Sequence, residues 1–330
     1  MAHTLIDSFG RTINNLRVSV TDQCNFRCIY CMPEEGMIFQ PKDEILTFEE
    51  ITRVVTIVSE LGINKIRLTG GEPTVRKDLP LLIRMISRIP GITDMGMTTN
   101  GFLLKKMAKD LFEAGLPRIN VSLDTLDEAR FKEMTRRDVL HKVIDGLEEA
   151  TKYFDLPIKI NAVAMKGYTD SDVLDFARLA RTKPYQIRFI EFMPLDADRT
   201  WSIDQVLTGK EIIDQIDAVW PLEAVKKPGQ REPADLFRFK DGKGEIGVIA
   251  SVSEPFCGSC NRIRLTADGK LRTCLFSMNE TDLKTPLRTG ASDVDVADLI
   301  IEAVKNKEPG HQINDPSFIQ PERSMSAIGG

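Results

Sequence analysis

Three cysteines crowd one short stretch, Cys24-Asn25-Phe26-Arg27-Cys28-Ile29-Tyr30-Cys31, in the spacing C-x3-C-x2-C. A loop that folds back on itself can aim three thiolates at one point, and thiolate is the ligand of iron–sulfur clusters. A [4Fe–4S] cube has four iron corners, so three cysteines leave one corner open to a small molecule. A disulfide or a zinc knuckle are the plainer readings, but zinc motifs usually pair their cysteines as C-x2-C and take four ligands. The six cysteines are completed by a second triplet, Cys257, Cys260 and Cys274. Its C-x2-C half suits zinc better, with a fourth ligand from elsewhere. A second cluster with one open iron for a substrate is the alternative. His3, His141 and His311 are scattered and read as surface residues.

Two further stretches could carry chemistry. Gly70-Gly71-Glu72-Pro73 joins glycines, which let the backbone approach a ligand closely, to a carboxylate at the end of an expected strand. Alone it is an ordinary strand-to-helix turn. In Asn261-Arg262-Ile263-Arg264-Leu265, alternation puts Arg262 and Arg264 on one face of a strand. Guanidinium forks suit phosphate oxygens, although a solvated strand face would look the same. Arg17, Arg67, Lys159 and Arg188 fall on other expected strands. Several cations inside a parallel sheet are costly unless they meet an anion, and a polyphosphate would fit. The chain has no G-x4-G-K-[ST] stretch, which excludes a P-loop.

The elements that must position these residues alternate regularly. Leu16–Thr21 reads as a first strand, and Thr47-Phe48-Glu49-Glu50 as a capping box opening a helix with Ile51, Val54, Val55 and Val58 on its apolar face. Strands follow at Lys65–Thr69, Met95–Thr99, Arg118–Leu123, Pro157–Ala164 and Tyr185–Phe192. Helices lie between them, near Asp78–Arg88, around Leu104–Leu111, around Val143–Ala150 and over Val173–Ala180. About six strand–helix alternations imply a parallel sheet with helices outside it, either open or curved into part of a (β/α) barrel. Beyond Trp220-Pro221 the pattern changes. Lys226-Lys227-Pro228-Gly229 reads as a connection, followed by short strands at Leu236–Phe239 and Glu245–Ala250 and a helix over Val294–Val304. A polar tail then ends in Gly329-Gly330. The expected division is 1–225 and 226–330.

Composition narrows the class. The 330 residues are 42% hydrophobic and 28% charged, ordinary for a soluble globular chain. No run approaches the ~18 apolar residues of a membrane span, and the first residues lack a signal-peptide pattern, so a cytoplasmic protein is expected. In a reducing cytosol, close cysteine triplets read as metal sites. A net charge of −5 argues against a general nucleic-acid binder.

The first triplet, with Tyr30 before its last cysteine, resembles the radical S-adenosylmethionine (SAM) enzymes, where the methionine end of SAM takes the open iron. Gly70-Gly71-Glu72-Pro73 is similar to the segment with which they bind the SAM amino group. More closely, Phe9-Gly10-Arg11, Leu16–Asp22, the cysteine loop with Met32-Pro33, and Arg67–Pro73 resemble the GTP 3′,8-cyclase family of molybdenum cofactor biosynthesis. So do Thr98–Gly101, Asn120–Asp124, Phe189–Pro194, Phe256–Cys274 and Arg323–Gly330, so that the resemblance covers essentially the whole chain. Gln23 stands where the family often has arginine, at a position that is not a ligand. The resemblance implies an α/β fold, an incomplete (β/α)6 TIM-like barrel closed by a smaller C-terminal α+β domain. It implies two [4Fe–4S] clusters, on Cys24, Cys28 and Cys31 and on Cys257, Cys260 and Cys274. SAM would meet Tyr30, Gly71, Ser122 and Met193, and GTP would meet Arg17, Arg67, Thr98, Lys159, Arg262, Ile263 and Arg264.

The reaction implied is cyclisation of GTP to (8S)-3′,8-cyclo-7,8-dihydroguanosine 5′-triphosphate, through a 5′-deoxyadenosyl radical that abstracts the ribose 3′ hydrogen. The Gly-Gly tail would reach towards the active site. Implied partners are a reductant such as flavodoxin or ferredoxin, cyclic pyranopterin monophosphate synthase as the next enzyme, and a second copy in a homodimer, with no nucleic acid and no membrane. A peptide-modifying radical SAM enzyme is the alternative within the class. A ferredoxin-like electron carrier or a zinc-stabilised binding module lies outside it.

Overall fold

The computed structural model describes residues 4–35, 37–225 and 233–329. The connection at Lys226-Lys227-Pro228-Gly229 and the terminal Gly330 lie outside them. Strands β1 (Asn15–Ser19), β2 (Lys65–Thr69), β3 (Asp94–Thr99), β4 (Arg118–Ser122), β5 (Ile158–Ala164) and β6 (Tyr185–Glu191) pair in chain order, all parallel. Helices α1 (Phe48–Glu60), α2 (Leu79–Ser87), α3 (Leu104–Glu113), α4 (Glu128–Thr135), α5 (Leu140–Ala150) and α6 (Val173–Thr182) return the chain between them. The capping box forms at α1, with Glu50 N donating to Thr47 Oγ1 and Thr47 N donating to the Glu50 carboxylate. Ile51, Val54, Val55 and Val58 are buried, as their spacing demands.

After α7 (Gly209–Asp217) the chain adds strands to both edges of this sheet. β7 (Leu222–Ala224), β8 (Asp235–Phe239) and β9 (Glu245–Ile249) extend it beyond β6. β10 (Arg262–Leu265), β11 (Lys270–Arg272) and β12 (Thr281–Asp282) extend it beyond β1. The junctions β6–β9 and β1–β10 are parallel, and the outer pairs are antiparallel. Helices α8 (Lys284–Arg288), α9 (Asp293–Lys305) and α10 (Met325–Ile328) follow, with α9 packed on α1. Residues from β1 to β6, β9 and β10 line a single cavity of about 330 Å³. Strands spaced ~4.8 Å apart can do so only if the sheet curves around it. The opposite face of the sheet is apolar, with Leu16, Val18, Ile66, Leu68, Met97, Val121, Ile160 and Ile187 buried beneath the helices. Among the described residues no helix is long and apolar enough to cross a membrane.

Register builds one unusual row. Arg264, Arg17 and Arg67 are mutual neighbours across β10, β1 and β2, followed by Gly96 on β3 and Arg118 on β4. The Arg67 stem lies over Gly96, where an added Cβ would make ordinary van der Waals contact with Arg67 Cδ at 3.5 Å. Arg67 thereby reaches Asp94, donating to its carboxylate at 2.6 and 3.1 Å, and Arg118 pairs with the same carboxylate.

Candidate active site

The first cysteine triplet sits in the loop leaving β1. Amides of Cys31 and Met32 fold back onto the Cys28 carbonyl at 2.9 and 3.0 Å. The end of α4 holds the loop from outside. Arg27 N and Ile29 N donate to the carbonyls of Thr135 and Met134, and Arg136 and Arg137 donate to the carbonyls of Arg27, Met32 and Asn25. Burial pushes Cys24 up to about 11, Cys31 up to about 12 and Cys28 well above its ordinary value. These are protonated thiols at neutral pH until a metal displaces their protons. Tyr30 Oη donates to Asp124 Oδ2 at 2.6 Å, and Val163 N donates to Oδ1 at 2.8 Å. Burial raises Asp124 to about 6 even though both bonds oppose it.

Glu72 is 1% exposed and its carboxylate is saturated by protein donors: Thr74 N at 3.0 Å, Thr74 Oγ1 at 2.5 Å, Thr99 Oγ1 at 2.7 Å and Asn100 N at 2.6 Å. It ties the turn after β2 to the end of β3 and so fixes the cavity rim. Gly71 presses against the segment before the cysteines, where an added Cβ would lie 2.3 Å from the Gln23 carbonyl oxygen.

The second triplet faces the first across the same cavity. Cys257 and Cys260 precede β10, and Cys274 follows β11. Burial alone would raise Cys260, but Arg262 and Lys307 outweigh it and bring the thiol down to about 7. Arg17, Arg262 and Arg264 line the wall between the triplets. Burial, Arg262 and Arg67 together lower Arg17 to about 9, which leaves it charged at neutral pH, with its Nε buried and without a hydrogen-bond partner among the described residues.

The chain's last residues enter this space. Met325 N donates to the Leu195 carbonyl at 3.3 Å, and Gln320 Nε2 to the Asp196 carbonyl at 2.7 Å, so the 195–201 segment is a seat for the tail. Ser326 lines the cavity with Cys31, where it works against the burial that raises this thiol, and its hydroxyl donates to Met37 Sδ at 3.3 Å. Gly329 takes a left-handed φ of 86° and accepts from Arg264 Nη1 at 2.6 Å. Any Cβ there would strike Ser19 Cβ at 2.7 Å.

The cavity thus gathers all six cysteines, all four residues expected at SAM (Tyr30, Gly71, Ser122 and Met193), and Arg17, Thr98, Arg262 and Arg264. Arg67 turns to Asp94, Ile263 is fully buried on the apolar face, and Lys159 is the register neighbour of Asn120 on β4. One expectation is corrected: His311 is not a surface residue but lines the cavity and stacks edge-on against Phe276 at 5.3 Å. His141 is exposed as expected, and His3 lies outside the described residues. Asp124, Met325 and Ser326 also line the wall and were not singled out as site residues. Their signal lay inside the matching stretches Asn120–Asp124 and Arg323–Gly330.

All six thiols are free of disulfides. A cube that gives each thiolate its own iron suits the two triplets and their open sides.

Residues 18–180 match the Radical SAM superfamily and residues 185–313 match Molybdenum Cofactor Synthesis C. A GTP 3′,8-cyclase of Rhodopirellula baltica is 47% identical over 99% of this chain and 92% of that protein. The chain belongs to the GTP 3′,8-cyclase family. A second cyclase, from Pelotomaculum thermopropionicum, is 46% identical over 98% of this chain and 99% of its own length. Among solved structures, Streptococcus suis SuiB bound to S-adenosylmethionine superposes with a TM-score of 0.62 over 95% of this chain and 77% of that one, at 13% identity. SuiB bound to precursor peptide SuiA gives 0.63 over 98% and 75%, at 14% identity. These superpositions carry the fold, and the cyclases carry the family.

Proposed function

We propose that this chain is a cytoplasmic radical SAM cyclase that converts GTP to (8S)-3′,8-cyclo-7,8-dihydroguanosine 5′-triphosphate, the first step of molybdenum cofactor biosynthesis. The observation that carries the reading is the single cavity with three thiols at each end and an arginine wall between them. Cys24, Cys28 and Cys31 would hold one [4Fe–4S] cluster, with Tyr30, Gly71, Ser122 and Met193 around SAM. Cys257, Cys260 and Cys274 would hold the other. When bound, the first cluster and SAM would supply radical chemistry at the ribose 3′ position, and a further electron from the reductant with a proton would complete the bond to guanine C8.

The protein's own part is placement and exclusion of water. Arg17, Arg262 and Arg264 would receive phosphate oxygens, with Arg67 and Lys159 deepening the positive field and Thr98 and the Ile263 main chain completing the pocket. The tail, seated on 195–201 with its glycine against Arg264, narrows the space in which a primary radical could attack a wrong C–H bond. In this reading residues 1–225 carry the radical chemistry and 226–330 the substrate cluster and tail. A small reductant such as flavodoxin or ferredoxin would supply electrons, cyclic pyranopterin monophosphate synthase would take the product, and a homodimer is the assembly we propose.

The test is an anaerobic incubation of cluster-loaded chain with dithionite, SAM and either GTP, ATP or no nucleotide, read by mass spectrometry. 5′-Deoxyadenosine together with a GTP-derived isomer, absent with ATP, is the expected result. Deoxyadenosine with no nucleotide product would redirect the substrate to a peptide, and no deoxyadenosine would sink the radical reading.

A further inference from the structure

One short segment, 307–310, together with Arg11, fastens the backbone around every cysteine of the second triplet. The Lys307 side chain is buried at 3% exposure, and its ammonium donates to the Arg262 carbonyl at 3.1 Å and to the Thr273 carbonyl. The first of these lies just after Cys260 and the second immediately before Cys274. Glu308 Oε2 accepts from Thr273 Oγ1 at 2.7 Å. Arg11, itself held by Asp7 at 2.5 Å, donates to the carbonyls of Cys257 at 3.0 Å, Pro309 at 2.8 Å and Glu308 at 2.5 Å. Gly310 closes the clasp, because an added Cβ would lie 2.8 Å from Cys257 Cβ.

Clamping a loop does not require a buried charge. An ammonium taken out of water is costly, and carbonyl dipoles offset only part of that cost. The Lys307 ammonium sits on the carbonyl that precedes Cys274 and on one two residues beyond Cys260, so its charge lies beside these thiols, and the Glu308 carboxylate, held by the Thr273 hydroxyl, lies next to it with the opposite sign. A [4Fe–4S]2+ core with three thiolates has one net negative charge, and reduction adds another. A fixed cation behind it therefore stabilises the reduced form more than the oxidised one, since net charge is one determinant of cluster potential.

We propose that Lys307 is a positioning residue and the buried counter-charge of the second cluster, holding that cluster's reduction potential above the value its thiolates alone would give, with Glu308 as the opposing trim. The proposal rests on the reading that Cys257, Cys260 and Cys274 carry a [4Fe–4S] cluster. Its consequence is that the cluster beside the arginine wall, where the proposed substrate lies, is easier to reduce than its three thiolates alone would make it.

The test is a redox titration of the full, reconstituted chain followed by electron paramagnetic resonance, with iron and sulfide content measured in parallel. A Cys24→Ser/Cys28→Ser/Cys31→Ser background isolates the second cluster's signal. Loss of that signal from the otherwise unaltered background would fail the underlying reading and not the role of Lys307. With the signal present, Lys307→Met is expected to lower the reduced-to-oxidised ratio at a fixed potential at least about tenfold, which is about 59 mV for one electron. Lys307→Arg should restore most of it. Glu308→Gln, isosteric and gentle, should shift the midpoint upward, and it decides the sign even if Lys307→Met fails to retain the cluster. An unmoved or lowered midpoint in Glu308→Gln, or an unmoved one in a cluster-bearing Lys307→Met, overturns the proposal.

Discussion

Arg17 carries a charge that the folded chain tolerates and does not neutralise. It stands between Arg264 and Arg67 in register, and its Nε is buried with no hydrogen-bond partner among the described residues. Two unit charges about 8 Å apart cost about 2 kcal/mol at an effective dielectric of 20. Arg17→Met should therefore make the ligand-free chain more stable, by about 1–2 kcal/mol in urea unfolding, while abolishing GTP binding in calorimetry and leaving SAM binding intact. A variant that loses stability and still binds GTP would remove Arg17 from the phosphate wall. The six cysteines and the Gly71-Glu72 turn were legible because their signal is local spacing. Arg17, Arg67, Arg262 and Arg264 were legible as alternating cations, but their alignment in one row depends on which strands neighbour each other. The contacts of Ser326 with Met37 and of His311 with Phe276 join residues that only the folded chain brings together. Glu72 shows the other limit: its type suggested a ligand-facing carboxylate, and four protein donors claim it.

Helices α3 and α5 pack so closely that a helix-forming residue would harm the helix that contains it. Gly146 sits within α5, where an added Cβ would lie 2.6 Å from the Gly101 carbonyl oxygen and 3.0 Å from Leu104 Cβ. Alanine gains about 1 kcal/mol of helix propensity over glycine, but overpacking a rigid contact costs about 1–3 kcal/mol. The backbone oxygen cannot swing aside as a side chain could, so the cost should win. Gly146→Ala is expected to lower stability by up to about 2 kcal/mol in urea unfolding; a stabilised variant would show that α5 can slide. At this scale the sequence was most readable where elements announce their own ends. Thr47 and Glu50 marked α1, and alternation placed β1 to β6 to within a residue or two. Helix α4 escaped notice because only Phe131 and Met134 give it an apolar face, and yet its end holds the cysteine loop. In the C-terminal part β8, β9 and β10 were visible as strands, whereas β7, β11 and β12, only two or three residues long, were not. The division of these strands between two edges of one sheet was not visible, since partner choice among short apolar strands is decided in three dimensions.

The whole molecule is one sheet whose two halves are interleaved in sequence. β10 covers the open edge of β1, β9 covers the open edge of β6, and α9 lies on α1. Residues 233–329 therefore supply both flanks of the six-stranded core as well as part of its cavity wall. Removing them would expose two rows of unpaired backbone groups on strands whose helix-facing side chains are fully buried, and such edges template association with other chains. A chain ending at residue 225 should accordingly form no monomer with a cooperative unfolding transition. It should collect as soluble aggregates that bind a hydrophobic dye, seen by light scattering alongside circular dichroism. A monomeric, cooperatively unfolding fragment would mean that the first 225 residues are an independent folding unit. The clefted arrangement gives a reason for the interleaving: a cavity that confines a carbon radical needs walls from both halves, and strands shared along two edges fix those walls more rigidly than a hinge between separate domains would.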